Sequence, residues 1–424
     1  MTSVPTTASR LDGLRDAARE AWFFTLPLIE MAMTRSREAA KGGRLNTLSH
    51  VRDLLTHTAR LVTMPNNDTL YSSAHLDLSQ GPVTLSVPPS GDRYLSVALM
   101  DMYTNNFAIL GSRTTGPDGG TFRLIGPNDA VSGDGVIRSP TNDVWLLARI
   151  LVEGPGDLDG ARAVQAGLSI QGPAAAPAPR RAHRSAPWAE YLASADALMA
   201  ANPPPVTDLA LLRRIAPLGI GKGEFQADRF TAEEGAAIQQ GLDLARATLF
   251  KVGGAAANSV VDGWIYPASS LGDFGQAYGY RAVVALVGLA ALPPVEAMYM
   301  RGAGPDQGHY DGTRLWRLHI PADRKIPVDG FWSLSLYEPT SEGQYFFIEN
   351  PLDRFLIGDR TPGLVYGDDG SLEIWIGHES PGAGLESNWL PAPAGPFALN
   401  LRAYLPRAEL LGGHYRLPPV LPVD

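Results

Sequence analysis

The stretch "RYLSVALMDMYTNN", residues 93–106, restricts the fold more than any other part of the chain. Strand alternation puts Leu95, Val97, Leu99, Asp101 and Tyr103 on one side, with Asn105 following. Tyr94, Ser96, Ala98, Met100 and Met102 take the other. A strand apolar on both faces is one covered on two sides, so it belongs inside a layered fold. Asp101 then sits among aliphatics, where a carboxylate needs hydrogen bonds or a cation, or its pKa rises. It is either a strut for backbone N–H groups or an acid/base with a tuned pKa.

Period two extends from Thr69 to Ile150, through "VTLSVP", "FRLIG" and "DVWLLARILV", with Gly-, Pro- and Asp-rich turns between. Strands at this spacing predict a sandwich or jelly roll. Upstream, residues 8–40 read as a helix with Leu11, Leu14, Ala18, Ala21 and Phe24 on one stripe, kinked or interrupted at Pro27. A second helix is expected at 45–62, its apolar face Leu48, Val51, Leu55, Thr58 and Val62. Residues 171–187, rich in Pro and Ala, form a connector. Helices at 188–201, 206–215, 231–251 and 274–291 precede a second strand block, Arg314 to Leu405. The expected class is α+β, mainly β: two antiparallel β-sandwich or jelly-roll modules joined and flanked by helices. The divisions are 1–63 (helices), 64–170 (sandwich), 171–292 (connector and helices) and 293–424 (jelly roll).

Composition removes several function classes. A net charge of −9 argues against nucleic acid and anionic membrane surfaces, which call for clustered Lys and Arg. With no cysteine, Fe–S clusters, thiolate zinc and cysteine nucleophiles are excluded. No phosphate-binding loop and no Gly-x-Ser-x-Gly elbow occurs, so neither a nucleotide nor α/β-hydrolase chemistry is expected. The N-terminus does not read as a signal peptide, and the longest apolar run breaks at Pro293 and Pro294. The expected location is the cytoplasm.

"MPNNDTLYSSAHLDL", residues 64–78, is unusually polar for a strand entrance. Asn66, Asn67 and Asp68 suit an Asx-rich turn, or an amide–carboxylate cluster at the rim of a cleft. Tyr71, Ser73, His75 and Asp77 would share one strand face, and Leu70, Ser72, Ala74, Leu76 and Leu78 the more apolar other. His50, Asp53 and His57, one face of the expected second helix, are the candidates for a divalent metal, although a solvated polar face explains them as simply. In the C-terminal block, Asn350, Asp353, Arg354, Asp359 and Arg360 suggest an ion-pair network or an anion site. His378 ends a strand, and Trp389 lies on a Pro-rich loop suited to lining a pocket or plugging a sandwich end.

Longer segments carry a resemblance. "PNNDTLYSSAHLDLSQGPVTLSVP", "DRYLSVALMDMYTNNFAILGSRTTG" and "SPTNDVWLLARILVEGPGDL" resemble a bacterial family called domain of unknown function 1254. "VDGFWSLSLYE", "ENPLDRFLIGDRTPGL", "GSLEIWIGHESPG" and "NWLPAPAGPFALNLRAYLP" resemble its usual C-terminal partner, domain of unknown function 1214. The resemblance implies two sandwich or jelly-roll modules joined by helices. It marks Asn66, Asn67, Asp68, Tyr71, Asp101, Tyr103, Asn105, Asn106, Trp332, Asn350, Arg354 and Trp389 as motif positions, with Asn46, His50 and Arg52 upstream. Many relatives look exported, which this N-terminus does not match.

The expected function is an enzyme, a hydrolase or isomerase acting on a small polar metabolite or glycoside in a cleft between the two modules. Asp68, Asp101 and Tyr103 would be catalytic. Asn66, Asn67, Tyr71, Asn105, Trp332, Asn350, Arg354 and Trp389 would bind ligand. The alternatives are non-catalytic capture of a carbohydrate or other small ligand, metal-dependent hydrolysis, and a purely structural role at the inter-module interface. The partner is a small molecule or glycan, and a homo-oligomer is compatible with the pattern.

Overall fold

The computed structural model describes residues 7–60, 63–253, 259–305, 308–341 and 343–423. Helix α1 (Thr7–Ala40) runs through Pro27 without interruption. The expected second helix does not form. Asn46 takes a left-handed backbone, φ 54°, and its side chain bonds Asp77 and Pro173. A short strand, β1 (Ser49–Val51), follows instead. Leu48 and Leu54 still reach the core, but from an irregular strap along a sheet edge. Leu61 and Val62 lie outside the described residues.

The N-terminal module then adds β2 (Thr69–Asp77), β3 (Val83–Val87), β4 (Leu95–Asp101), β5 (Asn106–Gly111), β6 (Gly120–Ile125), β7 (Val136–Arg138), β8 (Asp143–Leu151) and β9 (Ser169–Gln171). One sheet has the order β1-β2-β8-β4-β5 and faces a smaller one, β7-β6-β3-β9. Leu70, Ala74, Leu76, Val97, Leu99, Leu146 and Ile150 fill the space between them with Val83, Leu85 and Leu124. Alternation along β2 and β4 thus gives this sandwich its core.

The other face of the five-stranded sheet is shared by two covers. Helices α2 (Leu158–Gly167) and α4 (Leu209–Ile215) complete the helical segments before the C-terminal module, and toward the Asp101 end Met100, Met102, Trp145 and Leu147 pack under α1 and under α3 (Trp188–Ala201), α5 (Ala232–Gly253) and α6 (Tyr278–Val287). Helices α1 and α5 approach closely at Gly241, where a Cβ would stand 2.2 Å from the carbonyl oxygen of Arg15. Toward the Leu95 end, Tyr94, Ala98 and Leu151 meet Phe331 and Tyr404 of the C-terminal module.

That module begins earlier than expected, with β10 (Ser259–Val261) and β11 (Trp264–Tyr266). It continues with β12 (Ala297–Gly302), β13 (Tyr310–Asp311), β14 (Trp316–Ile320), β15 (Trp332–Pro339) and β16 (Tyr345–Phe346). Its last strands are β17 (Leu356–Gly358), β18 (Leu372–Gly377), β19 (Trp389–Pro391), β20 (Pro396–Tyr404) and β21 (Val420–Pro422). The larger sheet has the order β10-β11-β12-β20-β15-β16, and the smaller β19-β18-β14-β21. Between them lie Met298, Met300, Leu334, Leu336, Leu399 and Leu401 against Trp316, Leu318, Ile374 and Ile376. The result is an α+β fold of mainly antiparallel sheets, as expected, with parallel pairs only at β6–β7 and β18–β19 among the described residues. Among the described residues no helix is long and apolar enough to cross a membrane.

Candidate functional site

Alternation decides what the larger C-terminal sheet shows to the N-terminal module. With Leu334, Leu336, Leu399 and Leu401 turned into the core, Ser333, Ser335, Arg402 and Tyr404 turn out of it. The register lines up Tyr299, Arg402 and Ser333 across β12, β20 and β15. On the facing sheet, Tyr71, Arg149 and Ser96 line up across β2, β8 and β4. Two largely polar rows therefore meet where an apolar contact would be the simpler glue.

The "MPNND" segment straps this seam. Asn66 Nδ2 donates to the Tyr404 hydroxyl at 3.0 Å and to Thr69 Oγ1 at 3.1 Å, and Asn66 Oδ1 accepts from the Asp68 N–H at 2.6 Å. Asp68, buried, accepts from Ser333 Oγ at 2.6 Å and from Arg360 Nη2 at 2.9 Å. The Pro65 carbonyl accepts from the Tyr337 hydroxyl, and that of Met64 from Arg402. Asn67 points away, donating to the Leu55 carbonyl. The polar run is an Asx turn, as alternation predicts, and its side chains bond across to the second module.

Beside the strap, sheet, helical layer and C-terminal module converge on Arg149. Its guanidinium lies over the Tyr71 ring at 5.6 Å, and its Nη2 donates to the Ala290 carbonyl, just beyond α6, at 2.8 Å. Arg149 is 5% exposed, and its Nη1 has no hydrogen-bond partner. The phenols of Tyr71, Tyr299, Tyr404 and Tyr94 are the titratable groups gathered around it. Burial pushes the phenols of Tyr94, Tyr299 and Tyr404 up, so they remain protonated donors. Tyr71 and Tyr299 keep part of their surface accessible, and the Tyr71 hydroxyl bonds to no other described residue.

The remaining predicted residues lie elsewhere. Asp101 is at the opposite end of the sheet from Asp68: it pairs with Val144, whereas Leu151 pairs with Thr69. From Val144 to Leu151 is about 23 Å at roughly 3.3 Å per residue. Paired glycosidase carboxylates stand roughly 5–10 Å apart, so these two do not form such a pair. Asp101 accepts from the N–H groups of Tyr103 and Asn105, both at 2.9 Å, and from Asn105 Nδ2 at 3.3 Å. Burial raises its carboxyl to about 6, against these hydrogen bonds and the pull of Arg281. Tyr103 is sealed under the helices and donates to the Asn202 carbonyl. Asn105 Oδ1 accepts from the Phe274 N–H, so this turn anchors the segment leading into α6.

Trp332 faces the C-terminal core rather than the seam. Asn350 folds its own loop by accepting from the N–H groups of Leu352 and Arg354. Arg354 donates to the carbonyls of Glu386, Ser387 and Trp389. Asn350, His378 and Trp389 line an open cleft of about 690 Å³ with Glu338, Glu349, Glu379 and Glu386. Of the suggested network only the Arg360–Asp359 pair forms, at 3.5 Å, and Arg360 also reaches Asp68, while Arg354 is held by backbone carbonyls. His50, Asp53 and His57 do not converge either. His50 shares a hydrogen bond with Ser72, Asp53 pairs with Arg162, and His57 packs beside Phe355. Among the described residues no group of three or more His, Asp or Glu is placed to hold a metal ion.

Arg149, Tyr299, Tyr404 and Arg402 were not singled out by sequence reasoning. The signal was present, since Arg149 and Arg402 interrupt the apolar runs "VWLLARILV" and "FALNLRAYL" as Asp101 interrupts its own.

Residues 45–172 match the family model described as Protein of unknown function (DUF1254), and residues 296–408 match Protein of unknown function (DUF1214). The chain carries a DUF1254 domain followed by a DUF1214 domain. In this DUF1254–DUF1214 chain the strap lies in the first domain and its hydrogen-bond partners Ser333, Tyr337, Arg360, Arg402 and Tyr404 in the second. The fold is similar to the crystal structure of the VPA0106 protein from Vibrio parahaemolyticus, with a TM-score of 0.74 and 21% identity, over 97% of this chain and 100% of that one. An uncharacterized protein from Burkholderia cenocepacia aligns over 98% of this chain and 94% of its own at 13% identity and a TM-score of 0.44. No curated protein matches.

Proposed function

We propose that the seam between the two modules is a binding site for a small polar ligand, and that capture rather than carboxylate acid/base turnover is its role. The observation that carries this is the partly accessible Tyr71, whose hydroxyl has no partner among the described residues although it lies beside Tyr299, Tyr404 and the guanidinium of Arg149. The Tyr71 hydroxyl keeps contact with solvent, whereas Nη1 of Arg149 beside it is buried without a partner, a cost that a contact serving only to hold modules together gains nothing by carrying. A ligand oxygen would supply the missing partner. The hydrolase or isomerase reading asks for a carboxylate free to move a proton, and Asp68 has both oxygens committed, to Ser333 and Arg360.

Tyr71→Phe tests the reading, because it removes one hydroxyl and leaves the ring. The purified protein is screened by native mass spectrometry against mixed small polar metabolites. A retained ligand, bound roughly 3- to 10-fold more weakly by the variant, is expected, corresponding to about one hydrogen bond. Unchanged affinity in the variant, or retention that competes only at the 690 Å³ cleft, would sink the proposal.

A further inference from the structure

Resting on that reading, we infer that the ligand of the seam is a small carboxylate-bearing anion, anchored by the guanidinium of Arg149. Three guanidiniums line the seam, and they differ in how they are satisfied. Arg402 donates to Ser335 Oγ and to the carbonyls of Met64 and Pro65. Arg360 donates to Asp68 and to the Val152 carbonyl, and its cation stands 4.2 Å from the centre of the Phe331 ring. Arg149, as deeply buried, has the Ala290 carbonyl alone, and no ion pair to it is found among the described residues.

Charge points the same way. Against these three cations the seam sets Asp68, with Asp359 at its rim, 3.5 Å from Arg360. Glu296 is spent on Tyr94 and Arg113. A buried cation without a counter-ion is costly, and arginine cannot shed its proton to escape. The planar fork of Arg149 presents an unused N–H beside phenols that donate but carry no charge. A carboxylate would accept from that N–H and from the Tyr71 hydroxyl while neutralising the excess. Such charge-assisted bonds are the stronger kind. The competing account is mechanical, with Arg149 only tying Ala290 to the sheet.

The probes are acetate, lactate and benzoate, each compared with its own amide at constant ionic strength, using thermal unfolding of the full chain. The expected result is a saturable rise in midpoint with a carboxylate, absent with its amide and abolished in Arg149→Met. Arg149→Lys, which keeps the charge and loses the fork, should bind about 10-fold more weakly. Without ligand, Arg149→Met should unfold about 1–3 °C higher than the parent, since it removes an uncompensated buried cation. Equal responses to acid and amide would overturn the charge inference and leave the binding site standing. No response to any carboxylate also overturns it. In that case a destabilised Arg149→Met shows the mechanical role and takes the binding reading down as well, whereas a stabilised one leaves a neutral ligand.

Discussion

Asp101 offers a test in which the sign of the effect is as informative as its size. Asp101→Asn keeps one oxygen for the N–H groups of Tyr103 and Asn105 and removes the titrating proton. In the folded chain burial lifts this carboxyl from 3.8 to about 6. At about 1.4 kcal/mol per pH unit, that displacement makes ionisation cost the fold about 3 kcal/mol. The contribution is complete at about pH 3 and below, where both states hold the proton, and is lost as pH rises through 6. Urea unfolding of the two proteins between about pH 3 and pH 8 measures it, because other titrating groups cancel in the difference. The variant should gain about 3 kcal/mol on the parent across that range, whatever its offset at about pH 3. A pH-independent difference, or a parent that gains as pH rises, would refute the reasoning. It would mean that Arg281 and the three N–H donors outweigh burial.

Further expectations concern the strap and the helical layer. Asp68→Ala removes the buried acceptor of Ser333 and Arg360 while Asp359 and the Val152 carbonyl still hold Arg360, and should cost about 1–3 kcal/mol in chemical denaturation; a cost under about 0.5 kcal/mol would remove Asp68 from the lock. Gly241→Ala forces α1 away from α5, since the added methyl meets Arg15 O at 2.2 Å and the Ala18 Cβ at 2.8 Å. A loss of about 1–3 kcal/mol, with helical content kept by circular dichroism, is expected. The Tyr71 and Arg149 variants complete the set.

The fold was legible wherever local pattern and burial agree. Residues 93–106 announced a strand with two covered faces, and one face does meet a second sheet while the other meets helices and the C-terminal module. Residues 45–62 misled because Leu48, Val51 and Leu55 recur at helical spacing by accident. Asn46 and pairing with β2 decide that segment, and both depend on distant chain. The site was half legible. Asn66, Asp68 and Tyr71 stood out as polar residues at a strand entrance, but alternation says only that a side chain leaves one face, not which module receives it. The same gap explains the supposed partnership of Asp68 with Asp101, which are neighbours in character and lie at opposite ends of one sheet. Arg149 was the most missable residue, since a lone arginine in an apolar strand reads as an edge position until β2 and β4 are seen on either side of β8.

The lock formed by Asp68, Ser333 and Arg360 joins positions 265 and 292 residues apart. The carboxylate without Arg360 is a buried anion, and the arginine without Asp68 keeps only the longer pair to Asp359. A lineage that altered one would meet selection at the other two, so changes at these sites should arrive together or not at all. A DUF1254 domain grafted onto the DUF1214 domain of another lineage inherits half of this agreement. Paired change at positions 68, 333 and 360 is the mark such a lock would leave in related chains.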